Sequence, residues 1–208
     1  WENENFPAIL NVWFGGCESG DAICDVLFGD KVPSGKLTAT MPKSVGQIPL
    51  YYNHLNTGRP LKEGTWFSKF KSNYLDIDND PLFPFGYGLS YTTFKYGTPK
   101  LSSNTMTNNE NIQVSVDITN TGNYDADEIA QMYIRDLAAS VSRPVKELKG
   151  FERLSLKKGE TKTVTFTITP EDLKFYNQEL EYKNEPGEFE VMVGPNSKDV
   201  QTLKFTLK

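Results

Sequence analysis

Alternation of apolar and polar residues runs through the C-terminal half of the chain and limits what this half can fold into. In the first run, the apolar members are Ile112, Val114, Val116 and Ile118. The same period of two returns in residues 130–134, 163–168, 189–193 and 203–207. Because successive side chains of a β-strand point to opposite faces, this period indicates strands that each bury one face.

Turn sequences separate these runs, among them residues 120–123 (NTGN) and Pro186-Gly187. With further strands expected around residues 148–151 and 175–182, the pattern predicts about seven short strands in roughly 100 residues, which is typical of an immunoglobulin-like sandwich. Neither cysteine lies in this half, so the inter-sheet disulfide of antibody domains is absent and the fibronectin III type is favoured. We expect this unit, residues 93–208, to fold by itself.

The first 30 residues have a different pattern. Residues 8–14 (AILNVWF) form a short apolar run that predicts a strand, and Gly15-Gly16 predicts a turn. A helix with one apolar face should follow, because four residues recur at intervals of three and four: Ala22, Ile23, Val26 and Leu27. Gly29 is its stop signal. Strand, turn and helix together indicate one unit of an α/β domain.

Residues 30–88 contain six prolines and little periodicity, and they are too long for a loop inside one compact domain. Either this segment wraps over a neighbouring domain or part of its own domain lies outside the chain, and we favour the second. The predicted fold is therefore mainly β: a truncated α/β piece, residues 1–92, followed by the sandwich. Its apolar helix face needs cover, which we expect from the sandwich or from another copy of the chain.

Charge and composition exclude several classes of function. The chain has 22 basic and 27 acidic residues, a net charge of -5, and no basic block, so we expect neither nucleic acid nor a membrane as a partner. One histidine, His54, excludes a two-histidine metal site. Cys17 and Cys24 are expected to be small buried apolar residues. A chain that opens on Trp1, with no initiator methionine, is expected to be a fragment or a processed product.

Longer sequence blocks resemble a known family. Residues 13–20 (WFGGCESG), 25–60 and 81–94 (PLFPFGYGLSYTTF) resemble the C-terminal α/β domain of glycoside hydrolase family 3. Residues 140–160 and 186–194 resemble the fibronectin III-like domain that ends many of those enzymes. The family often has proline at position 15 or 16 and a small residue at 17, so the Gly15, Gly16 and Cys17 of this chain alter one turn.

The resemblance implies a parent enzyme that hydrolyses terminal β-D-glucosyl residues with retention, in the periplasm or outside the cell, and without a cofactor. Its partners would be the remaining domains of that enzyme and, in the intact enzyme, a β-glucoside. Whether the parent prefers glucosides or xylosides stays open. A stand-alone carbohydrate-binding module and a structural or adhesion module are the alternatives.

The resemblance implies no complete active site in this chain. A retaining glycosidase needs two carboxyl groups about 5 to 5.5 Å apart. In this family the nucleophile belongs to an N-terminal barrel, and the acid/base glutamate belongs upstream of Trp1. We therefore assign no catalytic residue and no metal ligand, and we expect the fragment itself to be inactive.

Four side chains are candidates for bordering a sugar: Trp13, Glu18, His54 and Arg59. Aromatic faces stack on pyranose C–H groups and arginine bonds hydroxyls, although aromatics such as these and Tyr51 and Tyr52 more often serve packing. Glu18 has a second interpretation as the carboxylate at the start of the helix, where free backbone N–H groups attract negative charge. Arg59 has one as the partner of a carboxylate across the loop.

Three further motifs have structural interpretations. Asp76, Asp78 and Asp80 space out as D-x-D-x-D, but the glycine and the glutamate of a calcium loop are missing downstream, so a solvated turn is favoured over an irregular calcium site. Gly86-Tyr87-Gly88 predicts a tight passage between the two domains, with no phosphate site. Residues 143–147 (RPVKE) predict an interdomain contact surface.

Overall fold

The computed structural model describes residues 1–62 and 65–208. Two α-helices come first, α1 (Glu2–Asn5) and α2 (Ser19–Phe28), and short 3-10 helices lie at Val45–Gln47 and Pro170–Leu173. The strands are β1 (Phe94–Tyr96), β2 (Lys100–Leu101), β3 (Thr105–Met106), β4 (Ile112–Asn120), β5 (Ala126–Asp136), β6 (Glu147–Leu156), β7 (Thr161–Ile168), β8 (Phe175–Tyr176), β9 (Tyr182–Lys183), β10 (Gly187–Gly194) and β11 (Gln201–Leu207).

Two sheets form the predicted sandwich. In the first, β7 pairs with β4 along its length and the short strands β1 and β2 also pair with β4, all antiparallel. The second has the order β3-β11-β10-β5-β6, in which only the β3–β11 pair is parallel. The apolar members of each alternating run meet between the sheets, so the period of two predicted both the strands and their buried faces.

The predicted strand over residues 175–182 is wrong. Instead, β8 and β9 are two residues each and form a small hairpin. The side-chain oxygen of Asn177 accepts hydrogen bonds from the N–H groups of Glu179 (3.0 Å) and Glu181 (2.9 Å). An asparagine that bonds the backbone two residues further on favours a turn over an extended strand.

At the N-terminus the helix is confirmed and the strand is not. Gly29 ends α2 with a φ of 86°, and its N–H bonds the carbonyl of Val26. Residues 8–14 form no strand, because no neighbouring strand of the described chain offers their backbone groups a partner. No residue from 1 to 30 is buried.

The exposed N-terminus bears on two further predictions. The helix face of α2 does not pack into the sandwich core, since α2 has no buried residue, and its cover by a second copy of the chain stays a prediction. Cys17 and Cys24 are exposed free thiols, not buried apolar residues. Both lie where the chain offers no second layer of apolar side chains.

Much of the proline-rich segment lies on the sandwich. Phe85 and Gly86 pack against β5 and against the turn that precedes β11, and Asp80 forms an ion pair with Lys198. The segment therefore wraps over the neighbouring sandwich, as the first alternative states, and these contacts do not contradict the second, a domain that continues outside the chain. Within the segment, backbone hydrogen bonds join its two ends: the N–H of Leu37 bonds the carbonyl of Tyr87, and Met41 forms an antiparallel bridge with Phe83.

Candidate functional site

The four predicted sugar-bordering residues lie in two places. Trp13 and Glu18 belong to the uncovered N-terminal part, whereas His54 and Arg59 belong to the segment that lies against the sandwich. All four are exposed. In the described part of the chain, no hydrogen bond or ion pair joins any two of them, so they do not form one preassembled cluster.

Glu18 lies at the rim of an apolar groove. The groove has a volume of about 500 Å³ and runs between the extended segment of Leu10 and Val12 and the face of α2 that carries Ile23 and Val26. Glu18 is the residue before the helix, as its second interpretation states, but its side chain makes no capping hydrogen bond to the free N–H groups there.

Trp13 has an uncommon backbone conformation. Its φ is 48°, in the left-handed region that glycine favours, and its N–H bonds the side-chain oxygen of Asn11 at 3.2 Å. Non-glycine residues held in this region often mark functional sites, because the strain must be maintained by the surroundings. Trp13 as a whole is 54% exposed.

Hydrogen bonds to their backbone carbonyl groups hold His54 and Arg59 in position. The carbonyl of His54 accepts a 2.9 Å hydrogen bond from the N–H of Val145, and Leu55 forms an antiparallel bridge with Pro144. The carbonyl of Arg59 accepts from the N–H of Ser72. The contact confirms the prediction that the loop before β6 is an interaction surface.

Aromatic rings fix the segment that leads to His54. Tyr52 stacks on Phe85 with 4.3 Å between ring centroids and meets Tyr133 edge-on at 5.8 Å. Tyr133 is fully buried, and burial raises the pKa of its phenol. Tyr52 is thus a packing residue, as aromatics in such segments commonly are, while its neighbour Tyr51 is 61% exposed.

A buried ion pair forms a second attachment. Nζ of Lys36 lies 3.2 Å from a carboxylate oxygen of Glu128, and the two side chains are 13% and 5% exposed. Tyr96 donates a 2.8 Å hydrogen bond to the same carboxylate. Burial, followed by the nearby Glu128 charge, raises the pKa of Tyr96 well above its usual range, so the phenol remains a donor. The arrangement joins the proline-rich segment to β1 and β5.

The aspartate-rich turn is solvated, as predicted, since Asp76 and Asp80 are exposed, and its aspartates also attach the segment to its surroundings. Asp78 bonds Nζ of Lys43 at 2.7 Å, and Asp80 bonds Nζ of Lys198 at 2.8 Å. The hydrogen bond from Lys43 lowers the pKa of Asp78. Among residues 1–62 and 65–208, no three His, Cys, Asp or Glu side chains are grouped so as to hold a metal ion. The same residues include no helix long and apolar enough to cross a bilayer.

Sequence reasoning missed the buried polar residues of β5. Gln131 and Glu128 are both almost fully buried and both bond the proline-rich segment. One signal was present: Glu128 shares the inward phase of Ala130, Met132 and Ile134, and a charged residue in that phase requires a partner. For Gln131, an ordinary outward position in the alternation, the pattern gave no signal.

Comparison with known proteins identifies both parts of the chain. Residues 1–91 match the glycosyl hydrolase family 3 C-terminal domain, and residues 128–197 match the fibronectin type III-like domain. The chain belongs to glycoside hydrolase family 3. It is 53% identical over 206 residues to a periplasmic β-glucosidase of Salmonella typhimurium and 48% identical over 207 residues to a β-xylosidase of Formosa agariphila.

Comparison with solved structures gives the same result as comparison with these sequences. A β-glucosidase of Listeria innocua in complex with gluconolactone superposes with a TM-score of 0.89 at 45% identity, over 95% of this family 3 chain and 27% of that protein. A β-glucosidase of Erythrobacter marinus also gives 0.89, at 40% identity over 100% and 26%. The Salmonella and Formosa alignments cover 99% of this chain but 27% and 28% of those proteins. The chain therefore corresponds to the C-terminal part of family 3 β-glucosidases.

Proposed function

We propose that the chain is the C-terminal part of a retaining β-glucosidase that removes terminal β-D-glucosyl residues. The observation that carries this proposal is the 53% identity to a periplasmic β-glucosidase over 99% of the chain. The aligned 206 residues include both matched domains, and we place the boundary between them at residues 92 and 93. The same relative supports a periplasmic or secreted location.

The proposed role of the chain is to support and complete the catalytic domains. Its N-terminal 30 residues expose large apolar side chains, with Phe14 fully exposed and Phe28 83% exposed. Exposed apolar area of this kind favours association, and the remaining domains of the enzyme are the partners that we propose for it. The sandwich, which has its own core, anchors residues 36–60 and 80–90, while the N-terminal 30 residues are left for the proposed partner domains.

Within that enzyme, Trp13, Glu18, His54 and Arg59 are proposed to face the substrate. The left-handed backbone of Trp13 and the uncapped carboxylate of Glu18 support this role, since neither is explained by packing or capping inside the chain. His54 and Arg59 keep exposed side chains on backbones that are held in place.

The first test is hydrolysis of a chromogenic aryl β-glucoside by the purified chain beside a mock purification. The proposal predicts no turnover above the mock, because two carboxyl groups must flank the anomeric carbon in a retaining enzyme and we assign neither of them to this chain. Turnover by the chain alone would contradict the assignment.

The second test is a chimera in which this chain replaces the matching C-terminal part of the Salmonella enzyme. We expect the chimera to hydrolyse the aryl β-glucoside, since 53% identity preserves the surfaces that the other domains need. An aryl β-xyloside is assayed in parallel, because a relative at 48% identity is a β-xylosidase. A folded chimera without activity on either substrate, combined with β-glucan affinity of the isolated chain, would favour a carbohydrate-binding module.

A further inference from the structure

The loop between β5 and β6 determines where His54 lies. Val145 donates its N–H to the carbonyl of His54 at 2.9 Å, and Pro144 and Leu55 form a bridge beside it. The N–H of Leu148, at the start of β6, also donates to the hydroxyl of Tyr52 at 3.3 Å. The segment with the proposed sugar-facing residues therefore has its backbone registered on a loop about 90 residues further along the chain.

Arg143 holds that loop. Its Nη2 donates to a carboxylate oxygen of Glu147 at 2.7 Å, and this bond encloses residues 144–146. Its guanidinium carbon lies 4.6 Å from the ring centroid of Phe175, which is 3% exposed. A charge-assisted hydrogen bond and a cation–π contact fix the planar guanidinium in two directions, which a lysine ammonium does not reproduce.

The positive charge of Arg143 lies in a region of acidic side chains. Three carboxylates share this region: Asp136, Glu147 and Glu185. Burial raises the pKa of Asp136, and the positive charge of Arg143 opposes that effect. Glu185 in turn accepts two hydrogen bonds from Ser140, at 2.8 and 2.6 Å, which tie the loop to the end of the β8–β9 hairpin.

We infer that Arg143 is a positioning residue: by fixing Pro144 and Val145, it places the segment of Tyr52, His54 and Arg59 at the substrate. This inference rests on the proposed function for the identity of the substrate. The structural coupling between Arg143 and His54 does not depend on the proposed function, and it can be measured in the isolated chain.

The first experiment uses the single histidine of the chain as its probe. We expect Arg143→Met to shift and broaden the ring proton resonance of His54 in the 208-residue chain, and Arg143→Lys to give a smaller shift. Arg153→Met is the matched control, because Arg153 is an exposed sandwich arginine paired with Asp127 and has no contact with the loop. A folded Arg143→Lys or Arg143→Met chain with an unchanged His54 resonance would overturn the inference. Phe175→Leu repeats the test should Arg143→Met not fold.

The second experiment uses the chimera with the Salmonella enzyme. Arg143→Met should lower kcat/KM on the aryl β-glucoside by about tenfold or more, mainly through KM, since displaced substrate-positioning groups cost rates of this order. Arg143→Lys should recover part of the loss, and Arg153→Met should change kcat/KM less than about twofold. An unchanged kcat/KM in an active chimera would overturn the inference. An inactive parent chimera would instead contradict the proposed function, and the His54 resonance would still decide the inference.

Discussion

The side-chain amide of Gln131 donates a 3.1 Å hydrogen bond to the carbonyl of Gly86, and this bond joins β5 of the sandwich to the proline-rich segment. The same amide donates at 2.7 Å to the carbonyl of Pro195, and the hydroxyl of Tyr133 donates to the Gln131 oxygen. Gln131 is 3% exposed and connects three polar groups, of which the carbonyl of Pro195 is only partly buried.

Replacing Gln131 by leucine is expected to destabilise the chain by about 2 to 4 kcal/mol. Two carbonyls and one hydroxyl would lose their partner, and each buried unsatisfied group costs about 1 to 3 kcal/mol. Urea unfolding followed by far-ultraviolet circular dichroism measures the change. Gln113→Leu is the control, since Gln113 is exposed on β4 and its change should stay within about 0.5 kcal/mol. Equal effects of the two substitutions would contradict this account of Gln131.

Gly86 has a steric requirement as well as a conformational one. Its φ is 78°, and an added Cβ would lie 2.0 Å from the side-chain oxygen of Gln131. Gly58 offers a matched comparison, because its φ is 75° and nothing lies within 4 Å of its Cβ position. Gly58→Ala should cost about 1 to 2 kcal/mol from backbone strain alone.

Gly86→Ala should cost more than Gly58→Ala by at least about 1 kcal/mol, because the methyl group also displaces the Gln131 amide. The difference in urea midpoint between the two variants is the quantity to measure. A Gly86→Ala chain as stable as Gly58→Ala would show that the segment around Gly86 leaves β5 at little cost.

The buried pair of Lys36 and Glu128 should respond strongly to the loss of one partner. Lys36→Met leaves a carboxylate that is 5% exposed without its cation, and breaking a buried pair in this way typically costs about 3 to 5 kcal/mol. The exposed pair of Lys183 and Glu181 is the control, with side chains 51% and 60% exposed. Lys183→Met should change stability by less than about 1 kcal/mol.

The sequence predicted the part of this molecule that is built on periodicity. The alternation around Ile112 and Val191 encodes the strands, because each strand buries the same face that its pattern shows. The fixation of His54 is different in kind: the sequence predicted residues 143–147 as a contact surface but not His54 as their partner, because long-range backbone contacts leave no local pattern. Residues 8–14 failed as a strand for a related reason, since a strand is defined by a neighbour that a local pattern does not reveal.

The contacts of Gln47 are a second feature that the local sequence pattern does not predict. Its side chain accepts from the N–H of Lys43 at 2.6 Å and donates to the carbonyls of Asp78 and Asp80, each at 3.1 Å. A buried glutamine in a proline-rich stretch thus organises the aspartate-rich turn. The spacing of the aspartates predicted the solvated turn but not the amide and ammonium donors from elsewhere in the chain that hold it.

Lowering the pH should destabilise the aspartate-rich turn, because the carboxylate of Asp78 becomes protonated. Its pKa is lowered in the folded chain by the hydrogen bond from Lys43, so the folded state binds a proton less readily than the unfolded state. The stabilisation is therefore complete above the ordinary value of 3.8 and is lost as the pH falls through the lower folded value. Because the carboxylate is 39% exposed, the effect should stay below about 1 kcal/mol.

Urea midpoints of the wild type and Asp78→Asn between pH 6 and pH 3 test this sign. The wild type should be more stable at pH 6, and the difference should shrink below a pH of about 4. Asp76→Asn is the control, because Asp76 is exposed on the same turn and forms no ion pair in the described part of the chain. A difference that grows on acidification would mean that Lys43 does not stabilise the charged form of Asp78, and the turn would then be attached through Gln47 and Lys198 alone.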